Sequence, residues 1–535
     1  MPEVSATRLK TRKKVLSRRC FLPNDLKTDY PNMKNFTRRN FLKSAALGAA
    51  ALSIDARSWS QVAGSNSDIR VAQIGFRGQG GSHISSLSKM KGVRLVALCD
   101  VDKNVLDKKA GELGGGIQTY SDIRKLLENK DVDAVSIAVP NHWHALATVW
   151  ACQAGKDVYV EKPACHNIFE GRKMVEAARK YKRIVQCGTQ CRSSVGLQEA
   201  VQYVQSGKLG KIVIARGFCY KGRKSIGQVD GPQAVPDTID YDIWCGPAPK
   251  EPSRRNGNFG PVHYDWHWFW AYGNGDYGNQ GPHQVDICRW FLGENAIAPF
   301  SMAVGGRLGY KDSAETPNTL LVYHGYKTPL VFETRGLPRD KASQNEGWKL
   351  AEYKGVTVGN VIECEHGYVV VPSYTEAIVY DKDGKELTRF DGKKKKGTAA
   401  EVKTPTGLLA DSGGHHGNWV KAIRSRRIQD LNAEILEGHL SAGLVHTGNI
   451  SYRIGSRKQP GEIKEAMQSQ KCLAEAYDRM QGHLEANEID LSKENLQLGV
   501  PLKFDPKKER FIDNKDANAL ISRNYRAPFV VPEKV

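Results

Sequence analysis

The 535-residue sequence predicts an α/β protein in two parts: a doubly wound parallel sheet, then an α+β domain with a mostly antiparallel open sheet. Three observations carry this. From Ile69 onward, short apolar runs alternate with amphipathic stretches, the rhythm of βαβ units packed around a parallel sheet. A glycine-rich turn, Gly75 to Gly81, falls between the first such run and the helical stretch after it. After about residue 191 the apolar runs lengthen and few helical stretches separate them, which favours antiparallel pairing.

Residues 1–66 read as a leader and linker. The formal charge is +20, but residues 1–60 hold thirteen Lys and Arg against four acids, so +9 of it lies in the leader. Ordinary globular composition, 40% hydrophobic and 25% charged, argues against wholesale disorder. The run Lys393–Lys396 is bracketed by Asp391-Gly392 and Gly397 and reads as a solvated hairpin turn. No reading helix and no interleaved aromatics accompany it, so nucleic acid is not an expected partner.

Within the leader, Thr37-Arg38-Arg39-Asn40-Phe41-Leu42-Lys43 precedes an apolar run from Ser44 to Ile54. That run is short for a membrane span and suits the core of an export signal. Paired Arg, an aromatic-Leu pair and Lys before a mild Ala-rich stretch resemble the twin-arginine signal, which implies the twin-arginine translocation machinery as a partner and a periplasmic or otherwise exported location. Ser58 and Ser60 offer small residues for cleavage. A second pair, Arg18-Arg19, is followed by Pro23-Asn24-Asp25 and should not work as a signal; translation is expected to start at Met33. Eleven cysteines without a CxxC pair do not form a disulfide framework. Cys99, Cys152 and Cys187 sit in apolar runs as expected buried thiols.

Residues 67–190 form the expected dinucleotide-binding domain. Its strands are read at Ile69–Ile74, Arg94–Cys99, Ala134–Ala138, Asp157–Val160 and Ile184–Gly188. Asn167 and Glu170 make a capping box ahead of an amphipathic helix through Met174, Val175, Ala178 and Tyr181. Residues 191–460 form the second domain, with strands at Lys211–Tyr220, Ser301–Leu308, Thr319–Tyr323 and Leu330–Arg335. Residues 221–275, rich in Gly, Pro and Trp, are expected to form long functional loops. Residues 461–535, with a helical run near Ile463–Leu484, read as an appended C-terminal extension.

The turn Gly75-Phe76-Arg77-Gly78-Gln79-Gly80 stands where a Rossmann-type pyrophosphate loop must stand, since glycine there lets backbone amides and a helix N-terminus approach phosphate. Its spacing departs from GxGxxG, because Arg77 occupies the second glycine position. Asp100 ends the second run about 20 residues later, placed to accept ribose hydroxyls, which favours NAD. Arg77 could instead meet a 2′-phosphate and so leaves NADP open.

Two further motifs close successive strands: Val139-Pro140-Asn141-His142-Trp143-His144 and Glu161-Lys162-Pro163. With the glycine turn, and with Gly275 to Asp286 and Arg289-Trp290-Phe291-Leu292-Gly293 in the second domain, they resemble the Gfo/Idh/MocA oxidoreductases over roughly residues 67–455. The resemblance implies NAD(P)-dependent oxidation and reduction of CH–OH groups on carbohydrate-like substrates, and a homo-oligomer. It implies that Lys162 reaches the substrate hydroxyl and that His283 is the general base or acid. Pro140, Asn141, His144 and Glu161 would then border the cofactor. Where the family has Asp four residues before the histidine, this chain has Asn279, which can orient a hydroxyl but cannot take a proton. Asp286, three residues beyond His283, could supply that charge or could form a structural ion pair.

The segment His263-Tyr264-Asp265-Trp266-His267-Trp268-Phe269-Trp270 offers indoles for a sugar face or for core packing. His263, His267 and His283 lack tight metal-ligand spacing, so no metal is expected. His415-His416, in a Gly-rich turn before a helix, reads as structural. An exported enzyme meets no pool of free nicotinamide, so its cofactor should be tightly bound and restored in each cycle. Two cycles meet that requirement: one sugar is oxidised as another is reduced, or transient oxidation of a glycoside permits elimination of its aglycone. A sugar-binding protein of the same fold, without turnover, is the rival reading; Lys162 and His283 speak against it.

Overall fold

The computed structural model describes residues 68–114, 116–255, 262–392, 414–493 and 496–535. The leader with both arginine pairs, Ser58, Ser60 and the run Lys393–Lys396 lie outside the described residues.

Along the first domain run β1 (Ile69–Ile74), α1 (Gln79–Leu87), β2 (Val93–Cys99), α2 (Lys103–Leu113), β3 (Gln118–Tyr120), α3 (Ile123–Leu127), β4 (Ala134–Ile137), α4 (Asn141–Gln153), β5 (Asp157–Val160), α5 (Ile168–Lys180) and β6 (Val185–Cys187). The strands form one parallel sheet in the order β3-β2-β1-β4-β5-β6. The five strands read from sequence are there, with ends shifted by no more than one residue. The sixth, β3, was not expected: its Gln-Thr-Tyr is polar and half exposed at the sheet edge, so no apolar run marks it. Asn167 caps α5 as expected, its side chain accepting from the Glu170 amide, while the Glu170 carboxylate turns to the His166 amide.

After β6 come α6 (Val195–Gln205), β7 (Ile212–Tyr220), α7 (Tyr241–Cys245), α8 (Gly275–Asn279) and α9 (Gly281–Leu292). The strands β8 (Phe300–Gly306), β9 (Thr319–His324), β10 (Leu330–Arg335), β11 (Val358–Cys364), β12 (Gly367–Val371), β13 (Ala377–Asp381) and β14 (Glu386–Phe390) follow. Next are α10 (Gly414–Ser425), α11 (Ile435–Arg453), β15 (Ser456–Arg457), α12 (Pro460–Met467), α13 (Lys471–Ala486), β16 (Gln497–Leu498), β17 (Leu502–Asp505), β18 (Arg510–Phe511) and α14 (Lys515–Ala519). The large sheet runs β14-β13-β12-β11-β7-β10-β9-β8-β16-β15, with β17 also on β8. Its pairs are antiparallel except β7 with β10.

Both faces of the parallel sheet, and of the central strands of the large sheet, are covered. In the parallel sheet, Ala72, Val135, Val158 and Val185 pack with α4 and α5, while Val71, Ala134 and Tyr159 point the other way, against α1 and Trp419 of α10. Alternation along each strand produces this division. In the large sheet, Ala215, Val322 and Phe332 face α9 and α11, and Met302, Leu321 and Val331 face α12 and α13.

Two expectations are corrected here. Residues 461–535 are no appendage: α12 and α13 seal one face of the large sheet, β16 and β17 extend it, and Phe529 and Val531 enter the core of the parallel-sheet domain. Their polar composition misled because only one stripe of each helix is apolar. His415-His416 is not in a turn but in the first turn of α10, where His415 Nε2 meets the Cys187 carbonyl at 2.8 Å. The described cysteines are free, and Cys99, Cys152 and Cys187 are buried as expected.

Candidate active site

At the C-terminal edge of the parallel sheet lies a cleft of about 640 Å³, bordered by the ends of β1, β2, β4 and β5 and by second-domain loops. The glycine turn forms its floor. Gly75 has φ +71°, a left-handed conformation that costs glycine nothing. A Cβ on Gly80 would come within 2.0 Å of the Gly75 carbonyl, so this glycine permits α1 to start hard against the loop and does not itself line the cleft. Around Gly78 there is open space, and α1 has no side-chain cap. The uncapped first-turn amides thus remain available to an anion, as a pyrophosphate requires.

Asp100 ends β2 on the cleft wall and accepts from the Phe76 amide at 3.3 Å and the Asp102 amide at 3.0 Å. Burial pushes its carboxyl up to about 6, against these amides and the nearby Arg77. Both Phe76 and Arg77 line the cleft. A carboxylate so placed, beyond an uncapped glycine turn, fits the ribose and pyrophosphate of a dinucleotide.

Pro140 and Asn141, opening α4, form the next wall. Asn141 donates to Asn274 at 3.0 Å, which ties this wall to the second domain. His144 lines the cleft too, but its nitrogens lie 2.7 Å from the Pro163 carbonyl and 2.8 Å from the Val139 carbonyl. A neutral ring donates from only one of these nitrogens, so His144 ties the end of β4 or the Pro163 turn while its ring borders the cleft.

Glu161 and Lys162 leave β5 at the centre of the cleft. The Glu161 carboxylate faces His83 Nε2 at 3.0 Å and takes the Lys162 amide at 3.1 Å. His83 Nδ1 in turn meets Ser136 Oγ at 2.9 Å. Although burial opposes ionisation, the bond from His83 holds the Glu161 carboxyl down at about 2. Gly188 makes room, since a Cβ there would touch that carboxylate at 2.9 Å. Lys162 Nζ donates to the Asn279 carbonyl at 2.8 Å and reaches its amide oxygen at 3.5 Å. Burial lowers the Lys162 ammonium below its usual range; Glu161 opposes that shift and Lys221 assists it.

His283, on α9, stands one layer behind the lining residues Asn279 and Gln280. It is 3% exposed, and its Nδ1 has no hydrogen-bond partner among the described residues. Burial and the Lys162 charge push its imidazole down to about 3, so it is neutral at pH 7. Its ring packs on Tyr374 at 4.8 Å, and Tyr374 accepts from the Gln280 amide at 2.8 Å.

Asp286 makes no hydrogen bond with His283, though its charge opposes the downward shift of the imidazole. Its carboxylate is bonded to Arg192 Nε at 2.8 Å and to Ser441 Oγ at 2.7 Å, with Arg289 at 3.4 Å, in full burial. Of the two roles open to it in the sequence, the structural ion pair is the one seen, because Arg192 from the turn after β6 reaches it first.

Sequence reasoning missed His83, Ser136, Lys221, Gln280 and Tyr374. For His83 a signal existed, three residues beyond Gly80 and so one helical turn below the glycine loop. The aromatic segment divides between its two readings: Trp266 and His267 stack at 3.6 Å on the cleft wall, whereas Trp268 and Phe269 join a buried cluster. Among the described residues no group of three or more His, Cys, Asp or Glu could hold a metal ion, and no helix is long and apolar enough to cross a membrane.

Two family models match the chain. The oxidoreductase-family model for the NAD-binding Rossmann fold, of the Gfo/Idh/MocA type, covers residues 69–189. The companion model for the C-terminal α/β domain covers residues 196–351 and 455–531. An inositol 2-dehydrogenase of Salmonella typhimurium is 30% identical over 181 residues, 33% of this chain and 52% of the relative. A glycosyl hydrolase family 109 protein of Shewanella baltica is 26% identical over 260 residues, 43% of this chain and 54% of the relative. The chain thus spans about half the length of these curated relatives. Among solved structures, an oxidoreductase domain protein of Kribbella flavida matches with TM-score 0.50 and 20% identity over 71% of this chain and 95% of the other. A levoglucosan dehydrogenase in complex with NADH matches with TM-score 0.50 and 16% identity over the same shares. These two likenesses speak for the fold alone.

Proposed function

We propose, from the premise that this chain belongs to the Gfo/Idh/MocA oxidoreductase family, that it is an exported enzyme which oxidises and reduces a CH–OH group of a sugar, polyol or glycoside, using a tightly held NAD. The carrying observation is Lys162: a half-buried amine at the end of β5, with lowered basicity, lining the cleft and held by the Asn279 carbonyl. NAD supplies the capacity to accept a hydride and return it. Lys162 positions the substrate hydroxyl and takes or returns its proton, its shift toward neutrality suiting both roles. His283, neutral and one layer behind the cleft wall with a buried, unpaired Nδ1, is the second group that the family resemblance assigns to proton transfer, and reaching the substrate would require Gln280 or Asn279 to give way. Asn279 orients the ammonium through its carbonyl, and Glu161, held ionised by His83, offers an acceptor beside the cofactor ribose. Trp266 and Tyr264 supply the aromatic wall against which a sugar ring can lie.

The likeness to glycosyl hydrolase family 109 proteins supports a second outcome of the same chemistry. Oxidation of a ring carbinol to a ketone acidifies the neighbouring C–H; loss of that proton expels the aglycone as an alcohol and leaves an enone, water adds at the vacated carbon, and return of the hydride to the ketone completes the cycle. Export rests on the leader motif around Arg38-Arg39 and supports a cofactor that stays bound.

The test is absorbance at the reduced-nicotinamide band after purified protein is mixed with a panel of sugars, polyols and glycosides. Wild type should respond. Lys162→Ala and His283→Ala should each lower the rate about 10²–10⁴-fold while retaining dinucleotide. If wild type and the His283 variant respond alike, His283 has no part in the chemistry; if no carbohydrate elicits a response, the non-catalytic reading gains.

A further inference from the structure

Beside the cleft lies a second basin of about 340 Å³ that the reaction just described leaves unused. We propose that it is a second saccharide subsite, so that the substrate is a neutral disaccharide or glycosylated sugar, not a lone ring. This rests on the reading of the main cleft as a carbohydrate site.

The two cavities share one wall. Tyr264 lines both, and the chain leaving β7 passes from Lys221 in the cleft to Gly222 and Arg223 in the basin. Tyr264 is 37% exposed, among the few large exposed hydrophobic side chains of the described residues, and has φ +54°, a conformation costly for a bulky residue. The surroundings hold it there: the Arg223 Nη1 donates to its hydroxyl at 3.3 Å, and its ring packs on His267 at 5.0 Å. Strain of this kind persists where a binding site requires it. An aromatic face standing between the two cavities suits the C–H face of a sugar ring, whose partial positive hydrogens meet the negative π-face.

The rest of the basin suits vicinal hydroxyls. Arg223 pairs with Asp276 through both carboxylate oxygens, and Arg307 pairs in the same manner with Asp312. The guanidinium forks are spent on these carboxylates, which are 2% and 0% exposed, so each arginine offers the basin its remaining Nη N–H groups, held in place by the pair. Lys224 and Asp265 balance each other among the remaining charges, so the lining favours a neutral ligand over a uronate. Spacing agrees as well. Asp276 in the basin and Asn279 beside Lys162 belong to the same short helix, α8, three residues and so a rise of about 5 Å apart. Neighbouring rings of an oligosaccharide are separated by a distance of that order.

Initial rates at the reduced-nicotinamide band are to be measured on a monosaccharide, the matching neutral disaccharides and a uronate-bearing disaccharide. Wild type should favour a neutral disaccharide in kcat/KM by about tenfold or more over the monosaccharide. Ser225→Trp, which fills the basin from its rim, should raise KM for the disaccharide at least about tenfold more than for the monosaccharide. Equal rates on both sugars in wild type, or equal losses in the variant, overturn the subsite; preference for the uronate overturns its neutrality. Should no carbohydrate reduce the cofactor, the oxidoreductase reading fails separately. Calorimetry with the disaccharides then decides the subsite: binding by wild type that Ser225→Trp abolishes supports it, and no binding overturns it.

Discussion

Asp100 shows how much one residue's surroundings decide. Its position after the second strand marks it as a ribose ligand, yet only burial in the fold lifts its carboxyl to about 6. An ionised carboxylate accepts from both ribose hydroxyls, whereas the protonated form gives up an acceptor. NAD affinity should therefore be full above pH 6 and fall as pH drops through it, by at most about tenfold per unit for one linked proton. Titration of cofactor-free protein between pH 5 and 8 checks this, and Asp100→Asn should flatten the profile. Asp100→Ser should narrow the preference for NAD over NADP. Asn279 is a like case. A carboxylate there would face Lys162 and not His283, so Asn279→Asp should raise the lysine's basicity and move the alkaline limb of the rate profile upward. An unmoved limb would show that Lys162 does not titrate in turnover.

At the scale of elements, local signals served where side chains are sorted by alternation or by caps. β1, β5 and the Asn167 cap of α5 stand as the sequence reads. They failed where burial is uniform or tertiary: α11 is buried almost all round, so no amphipathic stripe announces it. The C-terminal segment failed in another way. Phe529, 2% exposed, packs its ring on Trp143 at 5.5 Å and Trp150 at 6.4 Å, both on α4, more than 370 residues earlier in the chain. Phe529→Ala should cost about 3–5 kcal/mol, read as a lower urea midpoint with the m-value retained. A change within error would restore the picture of an appended arm.

For the whole molecule, charge location matters more than its sum. The +20 is concentrated in part in a leader whose motif proposes export, and it carries no nucleic-acid reading. Replacing Arg38 and Arg39 by Lys-Lys should leave the precursor in the cytoplasm, and the same change at Arg18 and Arg19 should have no effect. Periplasmic yield measured by fractionation decides it, and unchanged yield from the first variant would sink the export proposal.

By itself the sequence determined the two-part α/β architecture, the glycine turn, and the placing of Asp100 and Lys162 at strand ends. These are legible because each depends on residue type at a fixed local spacing: a glycine where backbone approaches phosphate, an acid at a strand end, a basic residue after a buried strand. Only the tertiary structure decided which neighbour each polar group would meet. Arg192 took Asp286 from His283, strand-end carbonyls took His144, and His83 took Glu161, because contacts between elements distant in the chain are set by packing geometry and leave no periodic trace in the sequence.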